Sequence, residues 1–131
     1  MSSLELHILK ILKQDGISFE REKTFSDLRK NKYRFDFYLP KQNILIEING
    51  AQHYENISFF YKNRVEFKKA QERDRRKISY ALANEIPLYI IPHWEIQNIK
   101  NSKQIFQKKF LATSKYHNDN IVTKSDLSPW S

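Results

Sequence analysis

Two acidic residues, Asp36 and Glu47, lie on neighbouring segments in which apolar side chains alternate strictly with polar ones. The segments are Tyr33–Leu39 and Ile44–Asn49, and turn-forming residues separate them. A hairpin centred on this turn places the two acids directly opposite each other, with Cβ atoms about 4.5–5.5 Å apart. Because like charges opposed across strands are destabilising, such a pair needs a bound cation, a shared proton or a basic neighbour. An alternative is that both acids are solvated surface residues paired with nearby basic groups.

The register of this hairpin is predicted by its apolar side chains. It pairs Phe35 with Ile48 and Phe37 with Ile46. A shift of one residue would move every apolar side chain to the other face, so the pattern favours this register alone. We therefore expect one wholly apolar face that includes Phe35 and Phe37, and a second face that carries the two acids.

A divalent cation is the partner that suits the acidic pair. Mg²⁺ prefers one or two carboxylates together with substrate phosphate and water, and Mn²⁺ is expected to substitute for it. The whole chain carries 23 Lys and Arg against 15 Asp and Glu, a formal net charge of +8. A basic chain with a local acidic pair is suited to metal-dependent phosphodiester hydrolysis, because the bulk charge holds a polyanion and the acids hold the metal.

Composition limits the other classes of protein. The 131 residues contain no Cys, which excludes a disulfide scaffold and a cysteine-ligated zinc site. No apolar run approaches the roughly 20 residues that a membrane-spanning helix needs, and no signal peptide is visible. A hydrophobic fraction of 40% is enough for a packed core. We expect a single cytoplasmic domain without membrane contact.

The remaining segments predict a layered α/β fold around the hairpin. In chain order they are a helix over 3–14, a strand over 17–25, a loop over 26–32, the hairpin, a charged helix over 59–84, a strand over 86–92 and a helix over 102–112. This order predicts an α/β sandwich around a small mixed sheet. We expect residues 1–112 to form the domain and residues 113–131 to form a C-terminal tail.

The arrangement of these motifs resembles the PD-(D/E)XK nuclease superfamily, and most of all the branch of very-short-patch-repair-like and phage homing endonucleases. The resemblance covers residues 4–94 and rests on Asp36, on the segment Glu47–His53, and on Asp74-x-x-Lys77 followed by the strand over 86–92. It implies a restriction-endonuclease-like αβββαβ core and a Mg²⁺-dependent DNA endonuclease. The superfamily's usual lysine, two residues after the second acid, is Asn49 in this chain.

The resemblance also implies roles for individual residues. The metal would be held by Asp36, Glu47 and the backbone carbonyl of Ile48, and Glu22 would complete the shell through water. The role of the missing lysine either passes to His53, Gln52 or Lys77, which we expect to act in catalysis, or is lost. Asp74 would orient His53 or Lys77. An imidazole, whose pKa is normally about 6.5, can deprotonate a metal-polarised water near neutral pH.

Basic residues beside the acidic pair, together with Asn49, are the expected contacts to nucleic acid. Most lie on the charged helix, where an ordinary solvated helix face is the alternative explanation. The set comprises Arg34, Asn49, Lys62, Arg64, Lys68, Lys69, Arg73, Arg75 and Arg76.

Three alternatives stay open at the level of sequence. The first is a non-catalytic DNA-binding protein on a nuclease fold, which the replacement of the motif lysine by Asn49 favours. The second is a structure-selective resolvase of branched DNA, and the third is a nuclease that acts on RNA. Because one site cuts one strand, a double-strand cut requires a homodimer or two successive nicks, and a partner protein would be needed for a long recognition site.

Overall fold

The structure, a computed structural model, describes residues 1–49 and 64–107, with the backbone alone for Arg64 and Phe67. Its elements in chain order are α1 (Ser3–Gln14), β1 (Glu20–Lys23), β2 (Phe35–Leu39), β3 (Ile44–Asn49), α2 (Arg64–Ala83), β4 (Leu88–Pro92) and α3 (Ser102–Ile105). Two short 3₁₀ segments, Arg29–Asn31 and His93–Asn98, lie between them.

The four strands form one mixed sheet in the order β1-β2-β3-β4. The pairs β1–β2 and β2–β3 are antiparallel, whereas β3 and β4 are parallel and are connected through the crossover that contains α2. Helices cover both faces. The predicted fold class, a mixed α/β sandwich around a small sheet, is confirmed.

The predicted hairpin register is confirmed in the half of the hairpin next to the turn. Phe37 lies opposite Ile46 and Leu39 lies opposite Ile44. All four are apolar, and Phe37, Leu39 and Ile46 are fully buried. These cross-strand apolar pairs anchor the register, because a slip by one residue would expose them.

Each face of the sheet has its own hydrophobic core. The first core joins Ile8 and Leu12 of α1 to Ile46 of β3, and the second joins Leu45 of β3 to Ala81 of α2. Adjacent residues of β3 thus belong to opposite cores, as the two-residue period of a strand requires. The sheet is therefore buried on both sides.

Phe35 corrects the prediction of a single apolar face. It packs in the second core, whereas Phe37, two residues later, packs in the first. The alternation of β2 is therefore interrupted at Asp36. In the neighbouring strand β1, the alternation of side chains is interrupted at the same level, where Glu22 has a left-handed φ of 53°. The interruption follows from the hydrogen bonds of the two acids, which are described below.

Element boundaries differ from the predicted ones where side chains pack without strand pairing. The first strand pairs only over Glu20–Lys23 rather than 17–25, since Ile17 and Phe19 pack against the first core before the ladder begins. The 3₁₀ segment His93–Asn98 was not predicted. The helix expected over 102–112 is described only as Ser102–Ile105.

The first helix agrees with its prediction. The Ser2 hydroxyl accepts a hydrogen bond from the Glu5 N–H at 3.1 Å, which satisfies one free donor of the first turn. The expected division at residue 112 falls outside the described residues. Of the helices in the described segments, none combines the length and the apolar character that crossing a bilayer requires.

Candidate active site at the carboxylate end of the sheet

Three chain segments meet at one end of the sheet because of its topology. Since β2 is antiparallel to β3 and β3 is parallel to β4, the start of β2 lies beside the ends of β3 and β4. Asp36 is at the start of β2 and Glu47 is near the end of β3. Lys77 of α2 reaches them from the side of the second core. We call this end of the sheet, where Asp36, Glu47 and Lys77 lie together, the carboxylate end of the sheet.

The two acids hold each other's strands through side chains. The Asp36 N–H donates to Glu47 Oε1 at 2.8 Å, and the Ile48 N–H donates to Asp36 Oδ2 at 2.8 Å. Each carboxylate thus takes the place of a backbone carbonyl as acceptor, and regular pairing ends at Phe37–Ile46. These bonds explain the interrupted alternation of β2, and they fix both carboxylates in position.

Lys77 completes the group from α2. Its Nζ donates to Glu47 Oε2 at 2.7 Å and lies 4.9 Å from the centre of the Phe35 ring. Lys77 is only 6% exposed, and it shares the buried face of α2 with Ala70 and Ala81. A lysine is almost never buried without a partner, so this side chain has a specific place in the site.

Burial and the neighbouring charge of Glu47 raise the pKa of Asp36 from its usual 3.8 to about 7. The hydrogen bond from Ile48 and the positive charge of Lys77 oppose this rise without cancelling it. Near neutral pH, Asp36 is therefore divided between its protonated and ionised forms. A second positive charge at this position would favour the ionised form.

The pair fits a divalent cation of the magnesium type. An ionised carboxylate has about four acceptor positions, so the hydrogen bonds present leave room for a metal. In a regular strand the N–H and the C=O of one residue face the same neighbouring strand, so the Ile48 carbonyl is expected on the side where its N–H donates to Asp36. Among residues 1–49 and 64–107, no group of three or more His, Cys, Asp or Glu could hold a metal, so two carboxylates are what the described chain offers. Mg²⁺ accepts such a set when phosphate oxygens and water complete it.

Of the other four predicted catalytic residues, the structure describes two, Glu22 and Asp74. Glu22 lies level with Asp36 in the sheet, but its exposed side chain is 3.8 Å from Arg34 rather than in the acidic pair. Asp74 precedes Lys77 by about one turn of α2 and has one buried carboxylate oxygen. Gln52 and His53 lie outside the described residues, and their roles stay predictions.

Most of the predicted nucleic-acid contacts are exposed. Arg34 lies just before β2, and α2 presents Lys68, Lys69, Arg73, Arg75 and Arg76 to solvent. In contrast, Asn49 is only 4% exposed and lies opposite Pro92 in the ladder with β4. The side chain of Arg64 and the whole of Lys62 are outside the description.

Glu5 is a residue near the site that the sequence did not reveal. It lies on α1, accepts a bond from Arg21 at 3.1 Å, and its charge contributes to the raised pKa of Asp36. In the sequence, Glu5 is simply an acidic residue in the first turn of α1. Its approach to Asp36 depends on how α1 packs on the sheet, for which no local signal exists.

No protein-family model matches the chain. The fold is similar to the catalytic domain of the homing endonuclease I-Bth0305I, with a TM-score of 0.52 and 21% identity over 79% of this chain and 89% of that domain. The chain is also 40% identical over 58 residues to the uncharacterized protein 307L of Invertebrate iridescent virus 6. That match covers 44% of this chain and spans only 29% of the viral protein. The structural likeness supports the fold, a nuclease-like α/β core.

Proposed function

We propose that this chain is a metal-dependent DNA endonuclease of the PD-(D/E)XK type that hydrolyses phosphodiester bonds. The observation that carries the proposal is the joint position of Asp36, Glu47 and Lys77 at one end of the sheet, where the Glu47 carboxylate accepts hydrogen bonds from the Asp36 N–H and from the buried Lys77 ammonium. The likeness of the fold to a homing endonuclease catalytic domain supports it. The net charge of +8 suits a polyanionic substrate.

The acids would hold the metal, and the rest of the site would hold the substrate. Asp36, Glu47 and the Ile48 carbonyl are the proposed ligands for Mg²⁺ or Mn²⁺. When bound, such an ion polarises a water molecule and offsets the charge of the phosphate. Asp36 would have to be ionised for this role, so protons and metal compete for it.

Lys77 is the described residue best placed to take over the role of the missing motif lysine. Its ammonium is 2.7 Å from Glu47 and therefore beside any phosphate that reaches the proposed metal ligands. There it would stabilise the charge that develops on the phosphate oxygens in the transition state. Asp74, one turn earlier on α2, is the proposed positioning residue for this side chain. His53, Gln52 and Glu22 remain proposed contributors to the activation of water.

Cleavage of plasmid DNA tests the proposal directly. Supercoiled plasmid and branched DNA would be incubated with the chain in Mg²⁺, in Mn²⁺ and in EDTA. We expect cutting in the metal buffers only, and its loss in Asp36→Asn and Glu47→Gln. Glu85→Gln is the matched control, because Glu85 is an exposed carboxylate that precedes β4 at the opposite end of the sheet. Retained cutting by Asp36→Asn would overturn the assignment of Asp36 as a metal ligand.

The same experiment separates the alternatives. DNA binding without cutting in either metal would favour the non-catalytic DNA-binding protein, for which Asn49 in place of lysine is the supporting observation. Preferential cutting of branched DNA would favour the resolvase. Accumulation of nicked plasmid would indicate that single sites act separately. Formation of linear plasmid without a nicked intermediate would indicate a homodimer.

A further inference from the structure

A groove with basic walls lies between the loop before β2 and the middle of α2. It is open to solvent, has a volume of about 650 Å³, and is lined by Asp27, Arg29, Glu72, Arg75, Arg76 and Tyr80 among others. Arg76 directly precedes Lys77 on α2, and the loop leads from Arg29 into Asp36. We call it the loop–helix groove. Its lining residue Leu28 belongs to the second core, which also contains Phe35, the ring that lies beside Lys77.

The walls of the groove are fixed by hydrogen bonds. The Tyr80 hydroxyl donates to Asp27 at 2.6 Å and thereby joins α2 to the loop. Desolvation and this bond raise the pKa of Tyr80 to about 12, so the hydroxyl keeps its proton at any physiological pH. Behind it, Leu28 is buried in the second core. The loop is therefore held at a set distance from α2.

The loop beside the groove carries three basic side chains, of which Arg29 lines the groove. Arg29, Lys30 and Asn31 all have left-handed φ values, of 50°, 50° and 65°, which non-glycine residues rarely adopt. The Asn31 N–H donates to the Phe25 carbonyl, and the Thr24 hydroxyl donates to the Asn31 side chain, so the conformation is supported locally. Arg29, Lys30 and Lys32 are all exposed in this turn.

The acids of the groove are hydrogen-bonded within it, and the guanidinium groups keep further donors. Asp27 accepts the bond from Tyr80, and Glu72 accepts the Nε–H of Arg76 at 2.8 Å and one amino group of Arg75 at 2.9 Å. Each guanidinium has five donor hydrogens, so one bond to Glu72 leaves most of them for another acceptor. Glu72 thus orients two guanidinium groups without satisfying them.

We infer that the loop–helix groove binds the phosphate backbone of duplex DNA beside the cleavage site, with Arg29 and Lys30 as contacts from the loop and Arg75 and Arg76 as contacts from α2. Guanidinium groups match phosphate oxygens in geometry, and several basic groups on two walls suit a run of phosphates. This inference rests on the proposed function, since it assigns a path to the DNA that the carboxylate end would cut.

The test removes the loop charges without disturbing the loop. Arg29→Asn with Lys30→Asn suits it, because asparagine tolerates left-handed backbone. Both changes are placed in an Asp36→Asn background, and binding to a fluorescein-labelled duplex is followed by anisotropy in EDTA over a series of salt concentrations. Each phosphate contact contributes about 0.9 to the slope of log K against log salt. We expect the magnitude of this negative slope to decrease by about 1–2, and the Kd to rise about tenfold or more at low salt.

Two lysines on the other side of the sheet provide the matched control. Lys10 and Lys13 are exposed on α1, which packs on the first core, so Lys10→Gln with Lys13→Gln removes the same charge elsewhere. We expect this variant to keep the parental slope. An equal fall of the slope in both variants would show a mere effect of net charge and would overturn the inference.

The remaining outcomes separate the inference from the proposed function. An unchanged slope in the loop variant, with a parent that binds duplex DNA, overturns the groove and leaves the nuclease proposal intact. Failure of the parent to bind duplex DNA at any salt concentration, together with absence of plasmid cleavage, overturns both. Tighter binding by the parent to single-stranded RNA than to duplex DNA overturns the assignment of the groove to DNA.

Discussion

The two ends of the β2–β3 hairpin hold their strands together in different ways. Near the turn, Phe37 and Leu39 face apolar partners across the ladder and lie in the first core. At the carboxylate end, Asp36 and Glu47 accept the backbone N–H groups themselves, and a buried lysine offsets part of their charge. The first arrangement gains from burial of apolar surface. The second keeps two like charges close together, which opposes folding unless a cation is present.

This difference indicates that the two ends of the hairpin have different roles. The turn end fixes the register, and the carboxylate end uses that fixed register to hold acidic groups where they repel each other. Such a strained arrangement persists only when its surroundings enforce it, and it is typical of functional sites. The comparison can be tested from either end.

The largest expected effect is at the turn end. Phe37→Ala should lower the free energy of unfolding by about 3–5 kcal/mol, because it leaves a cavity in the first core. Phe37 is fully buried and meets the Phe19 ring edge-on at 5.8 Å. Urea unfolding followed by circular dichroism would measure the change. A loss below about 1 kcal/mol would mean that the turn end does not anchor the hairpin.

Removal of the buried ammonium should have the next largest effect. Lys77→Met keeps an apolar stem beside Phe35 but leaves Glu47 and Asp36 without their cation, and we expect a loss of about 2–4 kcal/mol at pH 8. The loss should shrink at pH 5, because protonation of Asp36 removes one of the two negative charges.

A double variant tests whether this loss comes from the charge of Glu47. Glu47→Gln added to Lys77→Met should recover part of the stability, since it removes the anion that the lysine offsets. Simple additivity of the two changes in a double-mutant cycle would contradict the ion-pair explanation.

Asp36→Asn should stabilise the protein, by about 1–3 kcal/mol at pH 8. The amide oxygen can still accept the bond from Ile48, and the repulsion from Glu47 is lost. The sign follows from the raised pKa of Asp36, 3.8 in the unfolded chain and about 7 in the folded one. The folded state binds more protons in this range, so the wild type loses stability as the pH rises through 7. The advantage of Asp36→Asn should therefore grow from pH 4 to pH 8.

Asp15 provides a control of opposite sign. Its carboxylate accepts the Ser102 N–H at 2.7 Å, and hydrogen bonds from Ser102 lower its pKa. Its contribution is present above the unfolded pKa and is lost as the pH falls. Thermal melts should therefore show Asp15→Asn as destabilising near neutral pH, with a difference that disappears in acid. If Asp15→Asn and Asp36→Asn changed the stability in the same direction near neutral pH, the assigned cause of the raised pKa of Asp36 would be contradicted.

How far the sequence predicts the hairpin depends on which residues decide each end. Apolar residues alternate with period two near the turn, so the pairing of Phe37 with Ile46 could be predicted without a structure. The same reasoning placed Asp36 and Glu47 opposite each other. It failed at Phe35, because a carboxylate that replaces a backbone acceptor alters the strand, and periodicity contains no such information.

Residues brought to the site by tertiary packing were predictable only in part. The resemblance indicates Lys77 through Asp74-x-x-Lys77, but its contact with Glu47 depends on how α2 packs on the sheet. The approach of Glu5 to Asp36 and the left-handed turn at Arg29 leave no local pattern. The approach of Glu5 depends on how α1 packs on the sheet, whereas the turn at Arg29 is supported by local hydrogen bonds of Asn31 that apolar periodicity does not reveal.

The smallest expected effect is again at the turn end of the hairpin. Tyr38→Phe removes the hydroxyl that donates to Asn43 at 2.7 Å and keeps the ring that packs beside Phe25 and under Lys23. Because this bond is exposed, its loss should lower the free energy of unfolding by about 0.5 kcal/mol, with little dependence on pH. Urea midpoints at pH 5 and pH 8 would measure it. A loss of more than about 1.5 kcal/mol would mean that a polar bond, rather than apolar pairing, holds the turn end, and the contrast with the carboxylate end would then fail.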